Sequence, residues 1–159
     1  MSEPSVLFVC LGNICRSPLA EAALRAEAEA AGLALTVDSA GTGDWHVGRA
    51  PDPRAQATAR RYGLDISGYA ARQATAADFE RFTHIYALDA QNLADLERLR
   101  GRDATATLGL LMDMVPGREG TDVIDPYFGE DEGFEATWDD VTRAARAIVA
   151  ALKDSGKKA

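Results

Sequence analysis

Four apolar residues, Val6-Leu7-Phe8-Val9, run without a break into Cys10-Leu11-Gly12-Asn13-Ile14-Cys15-Arg16-Ser17-Pro18 and then Leu19-Ala20-Glu21-Ala22-Ala23-Leu24. The apolar run reads as a buried strand. Ser17-Pro18 marks a helix start, and the residues after it are good helix formers. A buried strand that turns through a short loop into a helix is the building unit of a parallel sheet wrapped by helices.

The loop carries chemistry. Cys10 and Arg16 lie six positions apart, enough for the chain between them to curl into a cup. Backbone N–H groups of that cup and of the first helical turn lack partners within the helix and favour a bound anion. Arg16 adds a planar fork that matches two phosphate oxygens. The same positive field favours Cys10 as a thiolate, a nucleophile at the floor of an anion site. Gly12 fits a turn with unusual backbone angles, and Asn13 tolerates a left-handed conformation. The bland alternative is a strand-to-helix turn with a buried Cys and a solvated Arg. A Cys and an Arg at this spacing say little alone; the strand before and the helix after give them weight.

A second cluster is Asp122-Val123-Ile124-Asp125-Pro126-Tyr127-Phe128. Pro126 keeps Asp125 extended and stiffens its loop. A carboxylic acid there would protonate a leaving oxygen, help typically worth ~10²–10⁴-fold. Tyr127 and Phe128 would wall a slot for an aromatic ring. Asp-Pro is also a common turn signal. Asp44 and Asp113 lack the proline context.

With these segments in hand, the chain resembles the low-molecular-weight protein tyrosine phosphatases over nearly its whole length. Val6 to Ala22 resembles the family's signature loop and first helix. Asp38-Ser39-Ala40-Gly41-Thr42, then Trp45 to Ala55, Ala71-Arg72-Gln73, Asp89 to Leu93 and Asp125-Pro126-Tyr127 follow in the family's order. The resemblance implies that Cys10 attacks phosphorus and forms a phosphocysteine. Arg16 and the loop amides from Leu11 to Cys15 would hold the phosphoryl oxygens. Asp125 would protonate the departing phenol and then activate water. Ser17 would hydrogen-bond the thiolate, and Asn13 would brace the loop in a network that includes Ser39. No metal or other cofactor is implied, and two Cys and two His show no zinc spacing.

Departures from the family pattern stand out. Where mammalian members carry a His in the loop network, this chain has Tyr69. Phe128 replaces a Tyr found in many members. Ile14 would line the cleft; relatives that act on phosphoarginine carry Thr at that place, so an aliphatic wall favours phosphotyrosine. Trp45 is expected at the rim of the mouth. Cys15 is either a small buried hydrophobe or, as the pair in many members suggests, a resolving thiol that closes a disulfide on oxidised Cys10. His46 and His84 receive no catalytic role.

The expected fold is α/β: one domain over 1–159, with 153–159 a frayed tail. Strands are expected near 5–10, 35–39, 84–88 and 107–113, and helices near 18–31, 53–63, 76–82, 90–99 and 132–153. The last is marked by Phe134, Trp138, Val141, Ala145, Ile148 and Leu152 on one face. A four-stranded parallel sheet of order 2-1-3-4, with helices on both faces and the phosphate-binding loop after strand 1, follows from the family. A net charge of −8 argues against nucleic acid and anionic membrane as partners. No stretch is long enough to span a bilayer and no signal-peptide pattern opens the chain. A cytoplasmic monomer is expected, acting on phosphotyrosine-containing protein and inhibited by inorganic phosphate or other oxyanions in the loop.

Three other readings remain open at this stage. One is a phosphoarginine phosphatase. A second is an arsenate reductase, which needs relay cysteines beyond the two present. The third is a non-catalytic phosphotyrosine-binding module, which would not need Cys10, Arg16 and Asp125 together.

Overall fold

The computed structural model describes residues 3–127, 129 and 132–157, with side chains as far as 154. Strand β1 (Ser5–Cys10) is central. It pairs in parallel with β2 (Thr36–Gly41) on one side and β3 (His84–Ala87) on the other, and β3 pairs in parallel with β4 (Thr107–Leu110). The order β2-β1-β3-β4 is the expected one.

The unbroken apolar run of β1 has a direct cause. Val6 and Phe8 join the core built with helix α1 (Arg16–Ala30) and the C-terminal helix α5 (Glu132–Lys157). Leu7 and Val9, on the opposite face, pack with Phe79, Phe82 and Leu96. Those residues come from the single turn α3 (Asp78–Arg81), the residue that follows it, and helix α4 (Ala90–Leu99). Both faces are covered, so no polar residue alternates along the strand. Phe134, Trp138, Val141, Ala145 and Ile148 of α5 are all buried, as their spacing predicts, and Leu152 packs partly against the same core.

Several boundaries differ from expectation. Helix α1 begins at Arg16 rather than 18, with Pro18 inside its first turn, where a missing N–H costs nothing. β2 runs on to Gly41. Helix α2 (Pro53–Arg61) stops two residues early, where Gly63 takes φ 80° and turns the chain. The helix expected at 76–82 is one turn: the Asp78 carboxylate accepts from the Thr75 N–H at 2.8 Å at its start, and after the Phe82 N–H bonds to the Asp78 carbonyl at 3.1 Å the chain turns extended at Phe82 (φ −103°, ψ 144°). The strand expected at 107–113 ends at Leu110. Leu111–Met114 form a 3₁₀ turn whose Leu111 and Met112 are fully buried. A short apolar run without clear period does not distinguish those two outcomes. Helix α5 continues to Lys157, through most of the expected frayed tail. Among the described residues no helix is long and apolar enough to cross a membrane.

This arrangement sets the site. β1 and β3 both end at the same edge of the sheet, so the loop after Cys10 and the start of α4 after Ala87 are neighbours. Ligands bind at that edge in open α/β sheets.

Candidate active site

The loop after β1 is held from outside. Thr42 N–H donates to the Cys10 carbonyl at 2.8 Å, Gly43 N–H to Leu11 at 2.9 Å and Asp52 N–H to Ile14 at 2.9 Å. With those carbonyls engaged by neighbouring segments, loop amides remain for the interior of the cup. One is seen in use: Asn13 N–H donates to Cys10 Sγ at 3.3 Å. Ser17 Oγ lies 3.0 Å from the same sulfur.

Asn13 is the keystone of the loop. Among the described residues it is the one non-glycine with a left-handed backbone, at φ 58°. Its side chain is saturated. Nδ2 donates to Ser17 Oγ at 2.8 Å and to Ser39 Oγ at 3.0 Å, and Oδ1 accepts from Arg72 N–H at 3.0 Å. Ser39 in turn donates to Glu21 Oε1 at 2.7 Å. Burial pushes the Glu21 carboxyl above its ordinary range, opposed by the Ser39 and Arg25 hydrogen bonds. The expected unusual turn thus falls on Asn13; Gly12 is not left-handed. Gly12 instead leaves room for His46, whose ring would lie 3.0 Å from an added Cβ. Gly41 is the tighter constraint, since a Cβ there would meet the Leu11 carbonyl oxygen at 2.7 Å. Tyr69 lies under Arg25, ring centroid to Cζ 5.9 Å. It borders a small cavity of about 80 Å³ shared with Asn13, Glu21 and Ser39.

Arg16 is 2% exposed, which rules out a solvated Arg on a turn. Nη1 donates to Asp89 Oδ2 at 2.7 Å and to the Val123 carbonyl at 2.9 Å, and Nη2 lies 3.6 Å from Asp125 Oδ2. Burial opposes its charge, but Cys10, Asp89 and Asp125 outweigh that and strengthen its hold on the proton. Asp89 does cap α4, accepting from Asn92 N–H at 2.7 Å. Its second oxygen aims Arg16, a role the sequence reading missed. The available signal was topological: Asp89 follows β3, next to β1, at the edge of the sheet that carries Cys10.

Asp125 Oδ1 accepts from Tyr127 N–H at 3.1 Å, a local turn that fixes the carboxylate. Asp125 is partly open to solvent, with 39% of its side chain exposed, so proton exchange with water is not blocked. Arg54 supports this loop. It donates to the Tyr127 carbonyl at 2.9 Å, and its Cζ lies 5.8 Å from the Tyr127 ring centroid. Its own position is set by Asp52, which also caps α2 through Arg54 N–H at 2.8 Å. Hydrogen bonds from Arg54 hold the Asp52 carboxyl below its usual range, against the effect of burial. Arg54 is a second residue that sequence reasoning did not single out.

Cys10, Arg16 and Asp125 line one cavity of about 140 Å³, together with Ile14, Trp45 and Tyr127. His46 lines it too, its ring 6.4 Å from that of Tyr127, although no role was expected for it. Trp45 is 68% exposed, as a rim residue should be. Its ring lies across Gly43, where a Cβ would fall 2.0 Å from a ring carbon. Cys15 is buried beside the cavity, and burial drives its thiol far up, with Asp52 and Cys10 adding to the effect. His84 sits apart, bonded to Thr83 Oγ1 at 2.8 Å, and burial holds its ring below the ordinary histidine value. Phe128, expected in the cleft, lies outside the described residues. Among the described residues no group of three or more His, Cys, Asp or Glu could hold a metal ion.

Known proteins are similar to this chain in sequence and fold. The low-molecular-weight protein-tyrosine-phosphatase of Streptomyces coelicolor is 46% identical over 155 residues, covering 94% of this chain and 93% of that protein. The crystal structure of YfkJ from Bacillus subtilis matches with a TM-score of 0.90 at 38% identity, covering 98% of both chains. That of DARP, a drosophila arginine phosphatase, matches at 0.88 with 34% identity, covering 93% of this chain and 97% of that one. The family profile described as low molecular weight phosphotyrosine protein phosphatase matches residues 5–158. On the match of family profile, sequence and fold together, the chain belongs to the low molecular weight phosphotyrosine protein phosphatase family.

Proposed function

We propose that this chain is a protein-tyrosine phosphatase that hydrolyses phosphotyrosine in proteins through a phosphocysteine. The observation that carries the reading is the convergence at one sulfur. Cys10 Sγ has the Asn13 N–H at 3.3 Å and Ser17 Oγ at 3.0 Å, in a cavity shared with Arg16 and Asp125.

In the first step Cys10 attacks phosphorus in line, the S–P bond forms and the bond to the tyrosine oxygen breaks. Asp125 gives its proton to the departing phenolate. Arg16 and the loop amides take up the charge that spreads over the phosphoryl oxygens. In the second step Asp125 takes a proton from water, which attacks phosphorus and releases Cys10. Ser17 is hydrogen-bonded to the sulfur as it leaves. Each step uses groups of this chain, without a metal. Inorganic phosphate and other oxyanions compete for the same cup.

Ile14, Trp45 and Tyr127 suit a flat aromatic ring. Similarity to an arginine phosphatase keeps phosphoarginine as the second substrate to test, and the aliphatic Ile14 argues for the phenol. Cys15 is read as a resolving thiol. After peroxide converts Cys10 to a sulfenic acid, Cys15 would displace water from it and close a disulfide that thiols reopen. This chemistry fits a monomer working in a reducing cytoplasm.

The test is phosphate release from a phosphotyrosine peptide and from phosphoarginine, in chelator, by the native chain, Cys10→Ser and Asp125→Asn. Turnover of the tyrosine peptide, abolished in Cys10→Ser and slowed about 10²-fold or more in Asp125→Asn, supports the reading. Preference for phosphoarginine overturns the substrate assignment. Tight phosphopeptide binding without turnover overturns the enzyme.

A further inference from the structure

Among the described residues the large exposed apolar side chains are Leu11, Trp45, Val47, Tyr62 and Ile124. All but Tyr62 sit on the loops that carry the site: after β1, after β2, and beside Asp125. Single exposed apolar residues need no explanation, but Leu11 and Trp45 stand together on the lining of the phosphate cavity, where exposed apolar surface marks a place for a ligand.

Next to this mouth a second groove of about 350 Å³ opens. Leu11 and Trp45 line both it and the phosphate cavity, so the two lie side by side across these residues. Ala74 and Leu99 give its remaining apolar wall. Of its polar side chains, Arg98 pairs with Asp95 and Gln73 Nε2 donates to the Thr42 carbonyl at 3.1 Å, while the buried Thr42 Oγ1 has no hydrogen-bond partner among the described residues. The groove thus presents apolar surface with its charges already paired, a poor fit for an acidic or basic side chain.

We propose that this groove receives the residue flanking phosphotyrosine and selects phosphoproteins with an aliphatic side chain there. The proposal rests on the phosphatase reading above. With the phosphoryl group at Cys10 and the ring in the cavity, the substrate backbone emerges at Leu11 and Trp45. Successive residues of an extended chain are about 3.3 Å apart and point to alternate sides, so an immediate neighbour reaches past those two side chains. The mode is an extended peptide crossing from one pocket into the next.

The test compares three substrates: p-nitrophenyl phosphate, a phosphotyrosine peptide with Leu on both sides, and the same peptide with Ser on both sides. The native chain is expected to favour the Leu peptide in kcat/KM by about tenfold. Leu99→Glu should remove that preference and raise the relative rate on a Lys-flanked peptide, while p-nitrophenyl phosphate turnover stays within about twofold. If Leu99→Glu also loses p-nitrophenyl phosphate turnover, Leu99→Ala is read instead, and its preference should fall to about threefold or less. Equal rates on the Leu and Ser peptides overturn the groove assignment, as does a preference that survives the Leu99 changes. A second copy of the chain in the groove would show as concentration-dependent mass without a flank preference, and that too overturns it. Failure on p-nitrophenyl phosphate by the native chain sinks the phosphatase reading and this one with it. Success there without a flank preference sinks this one alone.

Discussion

Asn13 is buried, left-handed and fully hydrogen-bonded, so its replacement separates backbone strain from side-chain loss. Asn13→Ala removes the partner of Ser17, Ser39 and the Arg72 N–H at once. An abandoned buried polar group costs about 1–3 kcal/mol, and the two hydroxyls keep other partners, Glu21 for Ser39 and the Ala40 carbonyl at 3.4 Å for Ser17. The Arg72 N–H is the group left worst off. Alanine at φ 58° adds about 1–2 kcal/mol of strain. The expected loss is about 2–5 kcal/mol for alanine. Asn13→Gly escapes the strain but loosens the unfolded chain by about 0.4–1 kcal/mol, so it should be the more stable of the two by about 1 kcal/mol. Urea unfolding of the three proteins reads this directly, and the m-value should stay constant. Both variants should lose kcat on p-nitrophenyl phosphate by at least about tenfold, because the amide facing Cys10 is no longer held. Glycine no better than alanine would refute the strain argument. Both variants within about 0.5 kcal/mol of the native chain would refute the keystone role altogether.

Further outcomes follow from other contacts. Gly41→Ala should displace the loop, since the added Cβ meets the Leu11 carbonyl at 2.7 Å, and kcat should fall about 10²-fold; a crystal structure with Leu11 unmoved and activity intact would contradict this. Asp89→Asn keeps the cap on α4, because Asn caps as well as Asp, but it loses the ion pair that aims Arg16. Helix content should hold while kcat drops about 10²-fold, and a kcat within about twofold of native would refute the aiming role. Burial raises the Tyr86 phenol to about 12 from 10.0. Between those pH values the unfolded phenol ionises while the folded one keeps its proton, so stability present below pH 10 is lost on the way to pH 12, by about 3 kcal/mol. Tyr86→Phe should lack that part of the decline in a pH series of urea melts, and identical slopes would refute it.

The parts of the fold legible in sequence are those where a period or a buried run left one solution. β1 is apolar throughout because both its faces are covered, and the α5 face repeats at helical spacing because it packs on α1. Leu110-Leu111-Met112 had no such signature, and burial alone fits a strand end or a 3₁₀ turn. Cys10, Arg16 and Asn13 were visible because they lie in one loop, and Asp125 because a proline follows it. Asp89 and Arg54 were not, since each acts across the sheet edge on a residue distant in sequence: Asp89 on Arg16, and Arg54 on the loop of Asp125 and Tyr127. Of the two loop residues able to take unusual backbone angles, Gly12 and Asn13, it is Asn13 that takes the left-handed one, held there by the fixed partners of its side chain, while Gly12 does not.

The central claim is that Cys10 becomes phosphorylated and that Asp125 serves both steps. Asp125→Asn with p-nitrophenyl phosphate tests it most directly, because p-nitrophenolate leaves without a proton while hydrolysis of the intermediate still needs a base. Acid quenching within the first turnovers, followed by mass spectrometry of the peptides, should find one phosphoryl group on the peptide that contains Cys10, and none in Cys10→Ser. A phosphoryl group on any other residue, or turnover that survives Cys10→Ser, would contradict the account.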